Sequence, residues 1–196
     1  MYLFHLRPNL AGLPTYVGNL LTPEECKAII STGERDLKLG PDRTDDERVH
    51  DNIRKSDIAW LSPEGGEHRW LFDRIKDCVN AVNADWFRYN LIGFEGIQFT
   101  KYSGKGQPDF YASHTDLKST ELGTIRKLSF SIQLSDPEAY DGGDVLLYDS
   151  LSVSATMSKT VGSITFFPSY TIHEVLPVTR GIRYSLVGWA HGPPFV

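Results

Sequence analysis

No apolar run in this sequence approaches the roughly 20 residues that a membrane-spanning helix requires. The N-terminus, Met1-Tyr2-Leu3-Phe4-His5-Leu6-Arg7-Pro8, lacks the basic start, apolar stretch and small-residue cleavage site of a signal peptide. Both absences lead to the expectation of a soluble, cytoplasmic protein with no membrane partner. Cysteine is scarce. Cys26 and Cys78 are too few and too isolated for a zinc motif, and a disulfide is not expected in a reducing compartment. Both fall in segments that read as helices, where they serve as small buried hydrophobes. Positive charge is not in excess either. A formal net charge of -5 gives no global attraction to a phosphate backbone, which counts against nucleic acid without excluding a local basic groove. There is no internal repeat, low-complexity tract or linker, so the whole of 1–196 is expected to form one domain.

The 196 residues, 40% hydrophobic and 12% aromatic, suffice for one hydrophobic core. The first half carries helical signals. Thr22-Pro23-Glu24-Glu25 sets a hydroxyl cap, a proline at the first helical position and a glutamate three residues after the cap. The helix it opens is predicted to run to about Arg35, with Cys26, Ile29 and Ile30 facing inward. A second helix is predicted over about Glu67 to Trp86. Its residues Leu71, Phe72, Ile75, Cys78, Val79 and Val82 recur at three- and four-residue steps, forming one apolar stripe. Between the helices, residues 36–52 include the charged stretch Gly40 to Arg48, which reads as a solvated loop or as a mobile lid.

From Phe94 onward the pattern changes to short strands: Ile97 to Tyr102, Leu128 to Leu134, Asp144 to Tyr148, Ser163 to Phe167, His173 to Leu176 and Tyr184 to Ala190. Turns are expected at Asp141-Gly142-Gly143, Pro168-Ser169 and Thr179-Arg180-Gly181. Many short strands with regular turns suggest a sandwich or jelly-roll barrel, mainly over 94–192. The helical support lies mainly in 20–90 and packs on one outer face, an α+β architecture.

The chemistry begins at His114-Thr115-Asp116. On an extended segment, residues two apart project to one face, so an imidazole and a carboxylate converge on one ion. His173, at the start of a late strand, is the candidate third ligand. Two histidines and one carboxylate on an octahedral face leave three positions open, the donor set of oxygen-activating iron(II). By themselves, a His-x-Asp pair reads as surface polar residues and His173 as a core or turn histidine. His5, His50, His68 and His191 lack comparable context. Arg183 adds a carboxylate anchor: if Thr179-Arg180-Gly181 turns the chain back, Arg183 enters the same barrel mouth. Ile182, Leu186, Val187 and Trp189 describe a buried strand, where an unpaired guanidinium is costly. Ser185 shares its face and offers a hydroxyl.

His114-x-Asp116, His173 and Arg183-x-Ser185 together resemble the Fe(II)/2-oxoglutarate-dependent dioxygenase superfamily, and within it the prolyl 4-hydroxylase-like branch of small bacterial and phage proteins. Leu134 to Asp144 resembles that branch's strand-end and double-glycine turn, and Ile53-Arg54-Lys55-Ser56-Asp57-Ile58-Ala59-Trp60 its upstream strand. The resemblance spans most of residues 50–192. It implies a double-stranded β-helix, Fe(II) on His114, Asp116 and His173, and 2-oxoglutarate anchored by Arg183. It also implies O2 as cosubstrate and ascorbate as an optional addition. Tyr102 resembles a tyrosine that helps to hold the cosubstrate, and equally reads as a core aromatic. Gln133 stands where some relatives place a tyrosine against the cosubstrate, a departure from the pattern. Arg54 faces the substrate entrance in this reading, or forms a structural ion pair. Trp60 and Trp189 read as core or cleft wall. The implied reaction is hydroxylation of a C–H bond, with a peptide or protein proline as the leading substrate. A small-molecule hydroxylase ranks next, nucleic-acid demethylation lower, and a non-catalytic jelly-roll binding module is the non-enzymatic alternative.

Overall fold

A computed structural model of the chain describes residues 13–39, 53–64, 66–121, 123–149 and 152–195. His5, His50 and residues 40–52 of the charged loop lie outside them. Strand β1 (Thr15–Val17) is followed by helix α1 (Pro23–Leu39), which takes up residues 36–39 of the expected loop and so runs past Arg35. Its start is the capping box expected from the sequence. The Glu25 N–H donates to Thr22 Oγ1 (3.2 Å) and the Thr22 N–H to Glu25 Oε2 (2.9 Å). Next come β2 (Arg54–Lys55), β3 (Asp57–Leu61) and α2 (Arg69–Val82). A π-turn over Asn83–Phe87 closes α2. There the Asn83 side chain both accepts from the Tyr89 N–H and donates to the Tyr89 carbonyl, each at 2.9 Å.

The remaining elements are β4 (Gly93–Phe94), β5 (Ile97–Ser103), β6 (Phe110–His114), β7 (Ile125–Gln133), β8 (Tyr140–Gly142), β9 (Val145–Asp149), β10 (Ser152–Thr156), β11 (Ile164–Pro168), β12 (Ile172–Val175) and β13 (Val178–Gly192). They form two antiparallel sheets. The larger runs β1-β11-β7-β13-β5-β3, with β4 and β8 also on β13, and the smaller runs β10-β9-β12-β6-β2.

The larger sheet has two faces of different chemistry because successive residues alternate sides. Ile97, Phe99, Leu128, Phe130, Ile132, Ile164, Phe166, Leu186 and Ala190 point to the helices, where they meet Cys26, Ile29, Leu71, Phe72, Ile75, Val79 and Val82 in one core. Cys26 is buried and Cys78 half-buried, both as free thiols; burial pushes the Cys26 pKa up to about 11, which keeps it protonated and inert. Helix α1 lies close on the sheet at Gly33, where a Cβ would stand 2.6 Å from the Phe99 ring. The opposite face carries Gln98, Thr100, Tyr102, Ser129, Ser131, Gln133, Arg183 and Ser185. Facing it, the smaller sheet contributes Val145, Leu147 and Val175 to a second cluster with Tyr102, Tyr140, Met157 and Phe167. This is the expected jelly-roll arrangement, with helices on one outer face. Among the described residues no helix is long and apolar enough to cross a membrane.

Two expected turns are corrected. Thr179-Arg180-Gly181 does not reverse the chain but lies within β13, paired to β8. The chain does not reverse at Leu176-Pro177 either: the Leu176 N–H donates to the Asp144 carbonyl (2.8 Å) and the Gly143 N–H to the Pro177 carbonyl (3.1 Å), so β12 runs on into β13 against β9 and β8. Gly181 (φ +71°) is needed there because a Cβ would come 2.1 Å from the Ala139 carbonyl oxygen, a close approach between strands rather than a bend. Asp141-Gly142-Gly143, expected as a turn, does not reverse the chain either: Gly142 and Gly143 take positive φ between β8 and β9 while the pairing with 175–181 continues through them.

Candidate metal and carboxylate site

His114 ends β6 and His173 lies on β12, directly opposite each other in the strand register. Their ring centroids are 4.1 Å apart. Each Nδ1–H is directed to a backbone carbonyl two residues earlier, Ala112 at 2.7 Å and Thr171 at 3.0 Å. With Nδ1 protonated, each ring keeps its Nε2 lone pair free for a ligand role. Asp116 lies beyond the end of β6. Its N–H donates to the Ser169 carbonyl (2.9 Å), and its Oδ2 accepts from Ser129 Oγ (2.8 Å), which also contacts Ser169 Oγ (3.0 Å). The carboxylate thereby stands 3.8 Å from His114 Nε2 and 3.4 Å from His173 Nε2. Burial, reinforced by the neighbouring His173, holds the His114 pKa well below its ordinary value, so the imidazole is neutral at neutral pH. With His114 neutral, the three groups are arranged for ligation. They form a donor set, with all three ligand atoms within 4.8 Å of one another, and this fits a divalent transition metal with open positions.

The triad opens into a cavity of about 390 Å³. Arg183 lines it, 4% exposed, with no carboxylate partner among the described residues. Its Nη1 donates to Ser185 Oγ at 3.3 Å, and its Cζ lies 5.7 Å from the Tyr102 ring, the residue opposite it on β5. A buried guanidinium facing only hydroxyls calls for an anion, and its fork geometry suits a carboxylate. Met157, Val145, Val175 and Phe167 supply apolar lining. The structure brings seven of the eight candidates to one cavity, among them His114, Asp116, His173, Arg183, Ser185 and Tyr102. Arg54 is the seventh, a cation with no acidic partner among the described residues. Gln133 does not line it. Although paired opposite Ser185, its amide donates to the Ser135 carbonyl (2.9 Å) and to Tyr140 Oη (3.0 Å), which holds it outside the lining.

Several neighbours carry no local signal in the sequence. Tyr111 stacks on His114 (centroids 3.6 Å, planes 16° apart). Ser129 and Ser169 hold Asp116. Arg126 stacks over Trp189 (4.0 Å) while pairing bidentately with Glu95 at 2.8 and 2.7 Å. The strand alternation of β7 does place Ser129 on the inner face, but only the fold shows that Asp116 reaches it. Trp189 is buried cleft wall, and Trp60, 6.1 Å away and 52% exposed, forms the rim. His191 accepts or donates to Thr124 Oγ1 (2.8 Å), away from the triad, and His68 sits at the start of α2, so both keep ordinary roles.

Comparison with known proteins accords with this geometry. A profile of the 2OG-Fe(II) oxygenase superfamily matches residues 97–191, the span that holds the triad, Arg183 and the strands between. A PKHD-type hydroxylase of Prochlorococcus marinus is 36% identical over 174 residues, covering 87% of this chain and 74% of that one. A PKHD-type hydroxylase of Hyphomonas neptunium is 37% identical over 90 residues, 44% of this chain. That match spans only 40% of the relative's length, and others are similarly partial. Among solved structures, a Pseudomonas putida prolyl-4-hydroxylase superposes with a TM-score of 0.71 at 22% identity, covering 92% of this chain and 93% of its own. A Trichoplax adhaerens prolyl hydroxylase, solved with a hypoxia inducible factor peptide fragment, also scores 0.71, at 18% identity and with 93% and 84% covered. At these identities the structural likeness speaks for the fold.

Proposed function

The chain belongs to the 2OG-Fe(II) oxygenase superfamily, and from that premise we propose that it hydroxylates a C–H bond of a peptidyl proline, releasing succinate and CO2. The observation that carries this reading is the pairing of two requirements in one cavity. A His-Asp-His donor set suits a divalent cation, and buried Arg183, without an acidic partner among the described residues, suits a carboxylate. Fe(II) and 2-oxoglutarate answer both.

His114 and His173 would hold the metal through Nε2 and Asp116 through a carboxylate oxygen. Bound iron with 2-oxoglutarate and O2 supplies the oxidising power for the C–H bond. The protein's own part is position and charge. Ser129 fixes the Asp116 carboxylate and, with the Ser169 carbonyl on the Asp116 N–H, prevents it from swinging away. Ala112 and Thr171 fix the two imidazole tautomers. Arg183 and Ser185 receive the distal carboxylate of 2-oxoglutarate, with the Tyr102 hydroxyl alongside. Trp189, Val187 and Trp60 form a wall suited to an apolar ring and exclude water from it. A cytoplasmic protein acting on a peptide or protein chain, with the whole of 1–196 as one catalytic domain, completes the reading. The open cleft beside two tryptophans favours such a substrate over a small molecule.

The test is 2-oxoglutarate turnover with proline-containing peptides. Succinate release coupled to a one-oxygen mass gain, dependent on Fe(II) and 2-oxoglutarate, supports the proposal. Succinate release with no peptide modified across varied sequences moves the substrate to another class.

A further inference from the structure

The Arg54 side chain lines the catalytic cavity yet faces no acid among the described residues. Its Nε donates to Ser56 Oγ (2.7 Å) and one Nη to Gln98 Oε1 (2.9 Å), both neutral acceptors. No ion pair to Arg54 exists among the described residues. Its guanidinium lies over the Tyr111 ring at 4.8 Å, and that ring stacks on the metal-ligand candidate His114. Thus one aromatic ring separates a half-buried cation from the reacting centre.

The other cations of the lining differ in kind. Arg126 is neutralised by Glu95 through two short hydrogen bonds. Lys118 is exposed at the rim, where water solvates it. Arg183 is the cosubstrate anchor in the proposed function. Lys55, beside Arg54 on β2, is paired with Asp109 (3.3 Å). With the loaded site considered as a whole, the two positive charges of Fe(II) and that of Arg183 are balanced by Asp116 and the two carboxylates of 2-oxoglutarate. Among the described residues the charge of Arg54 is left over, partly withdrawn from water and one aromatic ring from His114. Such a group lowers its energy by accepting an anion. Gln98, whose Oε1 accepts from Arg54, lines the cavity as well, and its amide nitrogen and the second Nη of Arg54 are donors of the kind that suits a carboxylate.

We infer that the substrate carries a carboxylate, and that Arg54, with Gln98, receives it and so fixes which substrates enter productively. This deepens the proposed function and rests on it. It narrows the peptide class to chains whose target residue lies beside an acidic side chain or at a free C-terminus. Both sources share the carboxylate chemistry. A neutral internal segment would leave Arg54 uncompensated.

The experiment measures binding rather than turnover. The full chain is loaded with Mn(II) and 2-oxoglutarate, and quenching of tryptophan fluorescence is followed as peptides are added; Trp60 and Trp189 line the cavity. The probes are proline peptides in matched pairs: Glu against Gln beside the proline, and free acid against amide at the C-terminus, with N-acetylproline against its amide as the smallest pair. At least one acid is expected to bind tenfold or more tighter than its neutral partner. The pair that discriminates identifies the source of the carboxylate. In Arg54→Gln the ratio is expected to fall below about twofold, and Arg54→Lys restores part of it. The acid-against-amide comparison in the unaltered protein stands even if a variant fails to fold. Equal binding of acid and neutral partners overturns this inference while leaving the hydroxylase reading intact. Preference for acids that persists in Arg54→Gln also overturns it. Failure of every carboxylate probe to bind, with a single-stranded oligonucleotide binding instead, overturns both the inference and the peptide reading.

Discussion

His114 and His173 sit opposite each other across β6 and β12, each with its Nδ1–H on a backbone carbonyl, so that both Nε2 atoms turn toward the Asp116 carboxylate. The metal site is thereby built before any metal arrives. Its rigidity comes from main-chain acceptors that substitution of side chains does not remove.

The support beneath Asp116 is the first point to test. Ser129→Ala removes the hydroxyl that holds Oδ2 and keeps every ligand. Metal affinity, measured by competition with a chelating dye, is expected to drop about 10- to 100-fold, as for other groups that orient a metal ligand. Asp116→Ala or His173→Ala should lose the site altogether. An unchanged affinity in Ser129→Ala would show that the Ser129 contact does not set the carboxylate.

Arg183→Met should leave metal binding in place and weaken 2-oxoglutarate. Loss of a charge-assisted hydrogen bond costs about 1.5–3 kcal/mol, or roughly 10- to 150-fold in Kd. Calorimetric titration of 2-oxoglutarate into the Mn(II) protein reads this directly. Equal affinity in the variant would place the cosubstrate elsewhere.

The fold side of the account predicts a penalty at Gly33. In a helix interior, glycine to alanine gains up to about 1 kcal/mol from propensity. Here the added Cβ would stand 2.6 Å from the fully buried Phe99 ring, and overpacking costs about 1–3 kcal/mol. Gly33→Ala is therefore expected to lose stability, by up to about 2 kcal/mol in urea denaturation. A more stable variant would show that α1 rides further from the sheet.

Acid sensitivity should centre on Glu95. Hydrogen bonds from Arg126 hold its carboxyl below the ordinary range, against the opposing effect of burial. A carboxylate with a depressed folded pKa stabilises the fold fully above its unfolded value of about 4.3, and the contribution is lost as pH falls through the folded value. Glu95→Gln should thus be less stable than the parent at pH 7, with the gap closing only below about pH 4.3. A pH-independent gap would refute the pairing as its cause.

The sequence was legible where one physical constraint acts on one short segment. The capping box of Thr22 and Glu25, the apolar stripe of α2 and the strict alternation Leu128-Ser129-Phe130-Ser131-Ile132-Gln133 each report their own geometry. The triad and Arg183 were legible because ligand chemistry limits the residue types. What stayed hidden depends on segments distant in the chain. Nothing local to Thr179-Arg180-Gly181 reveals that its glycine serves a close contact with Ala139 rather than a turn. Nothing local to Gln133 reveals that Tyr140 and the Ser135 carbonyl draw its amide away from the cavity. Tyr111 and Arg54 gain their meaning only when β2 pairs with β6.

The central claim, that one cavity holds Fe(II) and 2-oxoglutarate together, is tested most directly by absorption spectroscopy without oxygen. Adding both to the full chain should produce a weak visible charge-transfer band that requires metal and 2-oxoglutarate at once. The band should vanish in His173→Ala and require a higher 2-oxoglutarate concentration in Arg183→Met. A well-folded protein that gives no band at saturating Fe(II) and 2-oxoglutarate would contradict the account and leave a jelly-roll binding module in its place.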